Sequence, residues 1–171
     1  MWLILDIDDT LADPAHRRGV VQRPDGSYDW DRFIGPAAIL RDPLVSEWVW
    51  PWEYNKTVLR QFCLTSKVLY LTGRQAKHAV VTERWLWRQG FPTGTLLCRD
   101  TDEPDDVFKE RILAPLAREI RLAVDDCGVA YRDPWPLVRV YERLKIPLCS
   151  PYEAFGLGKL AQRLGLEEAA P

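Results

Sequence analysis

Apolar runs that end in clusters of polar residues recur three times along the chain. Trp2-Leu3-Ile4-Leu5 runs into Asp6-Ile7-Asp8-Asp9-Thr10, Lys67-Val68-Leu69-Tyr70-Leu71 into Thr72-Gly73-Arg74, and Arg121-Leu122-Ala123-Val124 into Asp125-Asp126. Short continuous runs of this kind suit strands buried on both faces, each delivering polar groups at its C-terminal end. Residues 95–98 and 146–149 read as two further short strands. Between them lie helical stretches: 75–89, stopped by Gly90, and 104–119, opened by Pro104-Asp105-Asp106 in keeping with the first-turn preference for proline and acids. Residues 134–144 and 156–164 are the remaining helices. Strands alternating with helices predict an α/β fold, a parallel Rossmann-like sheet with helices on both faces.

One stretch breaks this rhythm. Residues 12–62 hold no clean strand, are rich in Pro, Gly and Asp, and carry Tyr28, Trp30, Phe33, Trp48, Trp50, Trp52 and Tyr54. A structureless loop of that size is uncommon, so the stretch is expected as a small helical cap inserted after the first strand. The whole chain of 171 residues then reads as one domain, with 166–171 as a solvated tail. Of Trp85 and Trp87 on the 75–89 helix, one packs and the other lies at an edge.

Composition narrows the chemistry. At 47% hydrophobic and 28% charged residues, with no long apolar span and no basic leader, the chain reads as a soluble, cytoplasmic protein without a membrane partner. The formal net charge of −2 makes any polyanion site local. Cys63, Cys98, Cys127 and Cys149 form no C-x-x-C pair and are expected to be reduced and mostly buried. With only His16 and His78, zinc sites of the H-E-x-x-H type are absent, as are G-x-S-x-G and the kinase P-loop. Carboxylates remain.

In open α/β sheets ligands bind beyond the carboxyl ends of the strands, where Asp6, Asp8, Thr72, Arg74, Asp125 and Asp126 are expected to meet. Four carboxylates in one cleft call for a divalent cation, and all-oxygen donors point to magnesium. Asp6 and Asp8, two apart on a strand, are expected to share a face. One suits attack on phosphorus, the other proton transfer to the leaving oxygen and from water. Thr72 and Lys109 supply a hydroxyl and a positive charge to phosphoryl oxygens.

These residues, as Asp6-Ile7-Asp8-Asp9-Thr10-Leu11, Leu71-Thr72-Gly73-Arg74, Lys109 and Asp125-Asp126, resemble the four ordered motifs of the haloacid dehalogenase superfamily of phosphohydrolases. Together with His16-Arg17, Thr82 to Leu86, Arg99, Asp105 to Glu110 and Ala123 to Asp126, the pattern is similar to the 3′-phosphatase domain of phage-type polynucleotide kinases, over about residues 2 to 150. Cys127 stands where that family commonly has arginine, and Glu103-Pro104 where it has a basic residue.

The resemblance implies a haloacid dehalogenase-like fold and a magnesium-dependent phosphomonoesterase acting through an aspartyl phosphate. Asp6 would be nucleophile and metal ligand, and Asp8 the general acid/base, its backbone carbonyl also meeting the metal. Asp126 would bind the metal directly, with Asp125 a second ligand or a neighbour through water. Thr72, Arg74 and Lys109 would hold phosphate.

Other residues keep two readings each. Asp105 is either a first-turn acid or orients Arg99 or Lys109. His16, Arg17, Arg18 and Arg23 are either a solvated loop or a grip on a nucleic-acid backbone or leaving nucleotide. The Trp48 to Trp52 segment is either cap core or a base-stacking platform. By resemblance the substrate is a 3′-phosphate on an RNA or DNA end in nucleic-acid repair, with a separate kinase or ligase as a possible partner. The alternatives are a phosphatase of free nucleotides or another small phosphoester, and a non-catalytic phosphate- or partner-binding module.

Overall fold

A computed structural model of the chain describes residues 1–17, 23, 25, 35–45, 52–127, 135–155 and 159–166. Five strands form one sheet: β1 (Trp2–Leu5), β2 (Lys67–Gln75), β3 (Thr95–Arg99), β4 (Ile120–Val124) and β5 (Leu148–Cys149), in the order β3-β2-β1-β4-β5. Every neighbouring pair is parallel. The described helices are α1 (Pro36–Ile39), α2 (Trp52–Phe62), α3 (Ala79–Arg88), α4 (Asp105–Leu113), α5 (Trp135–Leu144), α6 (Pro151–Ala154) and α7 (Lys159–Leu164). The α/β architecture with a parallel Rossmann-like sheet is the one the apolar runs predict.

Successive side chains of a strand point to opposite faces, so each buried run feeds two cores. Leu3, Leu5, Val68, Tyr70, Leu122 and Val124 enter one core with Trp85 and Leu86 of α3 and Leu160 and Leu164 of α7. Ile4, Leu69, Leu71 and Ala123 enter the other with Phe108 and Leu113 of α4 and Val140 and Tyr141 of α5. Burial on both faces is why these strands read as continuous rather than alternating apolar runs.

Element boundaries shift for local reasons. β2 runs on to Gln75, so a 3-10 turn at Ala76–His78 precedes α3. α4 ends at Leu113, and Ala114–Glu119 continues as a 3-10 helix, because Pro115 has no amide for a further helical hydrogen bond. Gly90, at φ 79°, closes α3 with Phe91 N donating to Leu86 O at 3.1 Å. On α3 Trp85 is fully buried and Trp87 is 77% exposed, the division expected of the pair.

The stretch 12–62 is not all cap. Its last part, α2, places Trp52, Val58, Leu59 and Phe62 in the first core. There Trp52 meets Phe91 and Phe155 edge-on at 4.8 and 5.6 Å. It belongs to the crossover from β1 to β2, and the aromatic content that looked like a lid includes part of the core. Tyr28, Trp30, Phe33, Trp48, Trp50 and Arg18 lie outside the described residues, as do Pro134, 156–158 and all of the expected tail but Leu166. The cysteines are free; Cys127 and Cys149 are buried, Cys63 and Cys98 half-buried. No helix among the described residues is long and apolar enough to cross a membrane.

Just past β1 the chain turns sharply. Asp9 has φ 60°, a left-handed conformation Asp tolerates, and the amides of Thr10, Leu11 and Ala12 all donate to the Ile7 carbonyl. Ala12 then bridges antiparallel to Leu44, flanked by Asp13 N to Pro43 O at 2.9 Å and Val45 N to Leu11 O at 3.1 Å. This pairing holds residues 43–45 against the turn.

Candidate active site

The sheet ladder continues beyond the strand ends. Asp6 N donates to Val124 O at 3.0 Å and Asp125 N to Cys149 O at 3.2 Å, which sets Asp6 and Asp125 side by side at the carboxyl edge. Lys109 reaches them from the buried side of α4. Its Nζ donates to Asp6 Oδ1 at 2.9 Å and to Asp125 Oδ2 at 2.8 Å, and the side chain is only 2% exposed. Asp105, one helical turn earlier, lies 3.4 Å from the same ammonium. Its Oδ1 would stand 2.5 Å from a Cβ at residue 73, so this close approach requires Gly73.

Asp125 is held from all sides. Oδ2 also accepts the Tyr141 hydroxyl at 2.7 Å, and Oδ1 accepts the Cys127 amide at 2.7 Å, presented by a left-handed Cys127 at φ 53°. Asp126 is tied to the β1 turn, its amide donating to Thr10 Oγ1 at 3.0 Å.

Electrostatics follow from the crowding. Burial first, and then Asp125, Asp126 and Asp105, hold the Asp6 carboxyl well above the usual range against the opposing pull of Lys109. Burial alone would push Lys109 down, but Asp125 and Asp6 keep it firmly protonated. Three carboxylates, Asp6, Asp125 and Asp105, thus share one ammonium.

Ligand oxygens of Asp6, Asp125 and Asp126 lie within 4.8 Å of one another, so these residues can hold a metal ion. An all-carboxylate donor set favours a hard divalent cation over zinc. The Asp8 carboxylate is not in this cluster.

Asp8 turns instead to a second group. Arg74, at the end of β2, grips it through Nε at 2.8 Å and Nη2 at 2.7 Å, and Arg17 Nη2 reaches it at 3.1 Å. Behind the arginines lies Asp42, which accepts from Arg17 Nε at 2.7 Å, Arg17 Nη2 at 2.6 Å and Arg74 Nη2 at 3.1 Å. Arg74 Nη1 also donates to Thr82 Oγ1 at 3.3 Å. Burial works to raise Asp8, but Arg74 and then Arg17 outweigh it and lower its pKa. The wholly enclosed Asp42 behaves oppositely, burial pushing it up to about 6 against the same two arginines. Asp6 and Asp8 thus leave one strand for two different electrostatic environments.

Of the residues singled out in the sequence, Asp6, Lys109, Asp105, Asp125 and Asp126 converge, and Asp8, Arg74 and Arg17 form the adjoining group. Thr72 is buried at the end of β2, its Oγ1 accepting the Arg74 amide at 3.3 Å. His16 Nε2 stands 3.6 Å from Asp42 Oδ1. Arg99 bonds the Glu103 carbonyl at 3.0 Å and pairs with none of these acids, so Asp105 serves Lys109 rather than Arg99. Arg17 is buried, not a loop cation, whereas Arg23 is exposed. Asp42 and Tyr141 escaped the sequence reading, and Thr82 entered it only as the first residue of the Thr82 to Leu86 segment. Asp42 belongs to no motif or periodic pattern, and Tyr141 sits on the apolar stripe of α5, where it reads as core.

No protein-family model matches the chain, and no curated protein matches it significantly. Solved structures do. A chain of the Pnkp1/Rnl/Hen1 RNA repair complex superposes with a TM-score of 0.55 at 22% identity, over 86% of this chain and 41% of that one. A second structure of the Pnkp1/Rnl/Hen1 complex gives 0.59 at 21% identity, over 87% and 44%. The class C acid phosphatase from Bacillus anthracis, with tungstate bound, aligns at 17% identity and a TM-score of 0.53, over 99% of this chain and 80% of its own. The chain shares their fold. It spans about two-fifths of the length of the repair-complex chains. The parallel-sheet α/β architecture expected from the sequence is the one it has in common with these structures.

Proposed function

We propose that the chain is a magnesium-dependent phosphomonoesterase that works through an aspartyl phosphate on Asp6. The observation that carries this reading is the convergence of Asp6 with Asp125 and Asp126, their ligand oxygens within 4.8 Å of one another, against a buried lysine, with Asp8 and two guanidiniums alongside. A cation held by Asp6, Asp126 and, directly or through a water, Asp125 would offset charge on these carboxylates and polarise a phosphoryl oxygen. Lys109 offsets charge on Asp6 and fixes its carboxylate for in-line attack on phosphorus. Thr72 and Arg74 hold the phosphoryl oxygens, where charge is dispersed in the transition state. Asp8 gives a proton to the departing oxygen and takes one from the hydrolytic water. Arg74 and Arg17 favour its ionised form without substrate, so the donating half of the cycle needs the phosphate to draw Arg74 away.

The preferred substrate is a 3′-phosphate on an RNA or DNA end, supported by the motif resemblance and by the shared fold with a chain of an RNA repair complex. Cytoplasmic nucleic-acid repair is the setting this implies. A separate kinase or ligase is the natural partner, since a freed 3′-hydroxyl is what end-joining consumes. A second reading, hydrolysis of small phosphoesters, is favoured by the acid phosphatase, an oxyanion-binding protein whose fold this chain matches almost end to end. One assay separates them. Turnover of a 3′-phosphorylated oligonucleotide is compared with that of 3′- and 5′-mononucleotides, with and without chelator, in wild type and Asp6→Asn. A marked preference for the oligonucleotide supports repair, equal or better use of mononucleotides supports the second reading, and no metal-dependent turnover of any of them defeats both.

A further inference from the structure

Asp42 is the least anticipated charged group in the molecule. It lies between Arg41 and Pro43, and the pairing of Ala12 with Leu44 carries it to the back of the Asp8 turn. Its side chain is completely buried, and its main-chain carbonyl accepts Trp85 Nε1 at 2.8 Å, which pins the residue to α3.

The two arginines between Asp8 and Asp42 are not equivalent. Arg17 grips Asp42 with two bonds of 2.7 and 2.6 Å and touches Asp8 once, at 3.1 Å. Arg74 does the reverse, with two bonds of 2.8 and 2.7 Å to Asp8 and one of 3.1 Å to Asp42. Asp8 keeps 27% of its side chain exposed at the mouth, whereas Asp42 has none. Asp42 is therefore the fixed end of Arg17, and Asp8 the open end.

We infer that Asp42 is a positioning residue: it orients the Arg17 guanidinium beside Asp8, so that Arg17 stays aimed at the phosphate when substrate enters. The inference rests on the phosphatase reading. A bidentate pair fixes the plane of a guanidinium, which a single contact or a lysine ammonium does not. An arginine held only by Asp8 would lose its orientation as soon as Asp8 engaged the leaving oxygen. With Asp42 behind it, Arg17 keeps two bonds when its contact to Asp8 is given up. The competing role is purely structural, a tie that fastens 36–45 to the body.

A double-mutant cycle on the full chain decides between them. Asp42→Asn, Arg17→Ala and the pair are compared for kcat/KM on a 3′-phosphorylated oligonucleotide and for the affinity of inorganic phosphate in the presence of magnesium, with thermal unfolding alongside. If Asp42 acts through Arg17, each single change lowers both quantities by about tenfold or more, and the double variant falls no more than about twofold below Arg17→Ala. Losses that multiply, or a lower unfolding temperature with phosphate affinity unchanged, overturn the inference. Should Asp42→Asn not fold, the cycle is run with Asp42→Glu and Arg17→Lys, where the same non-additivity is expected and multiplied losses again overturn it. A wild-type chain that binds phosphate but hydrolyses no ester defeats the phosphatase reading, while the phosphate-affinity cycle still decides for or against Asp42. One that does neither overturns both.

Discussion

Two charge clusters lie next to each other at the carboxyl edge of the sheet, and they are built on opposite principles. In the first, Asp6 and Asp125 share the ammonium of Lys109 and lie within 4.8 Å of an Asp126 carboxylate oxygen, and Asp6 holds its proton far more tightly than a free carboxyl does. In the second, Asp8 and Asp42 share Arg17 and Arg74, two carboxylates against two guanidiniums. The second closes on itself and can serve as a rigid scaffold. The first crowds carboxylates around one ammonium, and a bound cation is expected to stabilise it. Contacts alone do not separate them, since both are dense with short ion pairs; the opposite directions in which Asp6 and Asp8 are shifted do.

The largest effect expected is at Asp6. Asp6→Asn should cut turnover at least about a thousandfold, because an amide cannot form the acyl phosphate. Without a cation it should nevertheless be no less stable than wild type. A carboxyl whose folded value lies above its ordinary 3.8 binds more protons folded than unfolded, so it draws stability down as pH rises from about 4 through that raised value. Asp8, lowered from the same 3.8, has the opposite sign and costs stability as pH falls below its ordinary value. Unfolding in chelator across pH 3 to 8 should therefore show Asp6→Asn removing a loss on the alkaline side and Asp8→Asn removing one on the acid side. Identical pH slopes for the two variants would erase the distinction between the clusters.

Lys109→Met comes next and strikes stability hardest. It leaves Asp6 and Asp125 buried together without their shared donor, and breaking a buried pair in this way typically costs ~3–5 kcal/mol. The loss, read by chemical denaturation, should shrink at acid pH as the carboxylates take up protons. A smaller change follows from the cation itself. Magnesium at about a hundred times its dissociation constant should stabilise wild type by ~2.7 kcal/mol. Asp126→Asn should abolish most of that gain, and Asp42→Asn should leave it intact. Equal loss in both variants would show that the two clusters act as one.

The first cluster was legible in the sequence because its acids stand where apolar strands stop, and a parallel sheet must bring those stops together. Lys109 was legible from the motif order, although only the helix α4 explains its burial. The second cluster was half hidden. Arg74 follows a strand end and was readable; Arg17 kept two readings, a solvated loop cation or a grip on the substrate. Asp42 depends on the antiparallel pairing of Ala12 with Leu44, a long-range contact that no local period announces. α2 was misjudged for a related reason: its aromatic and polar residues mix in composition, and only packing against the sheet shows which of them are core.

The smallest expected effect tests how tightly the first cluster is framed. Tyr141 donates its hydroxyl to Asp125 Oδ2 at 2.7 Å from the second core, while Lys109 and the Cys127 amide hold the same carboxylate from other directions. Tyr141→Phe removes that donor and leaves the ring in place, so no cavity opens. A hydrogen bond to a charged group contributes about 1.5–3 kcal/mol, and the two remaining donors should keep the loss toward the lower end. Activity should fall only a few-fold, through kcat rather than KM, because Asp125 orients Lys109 and Asp6 and does not itself hold substrate. If instead Tyr141→Phe cost as much activity as Lys109→Met, Asp125 would depend on Tyr141 for its position. The carboxylate cluster would then be governed from the core on the far side of the sheet, not by the residues at its edge.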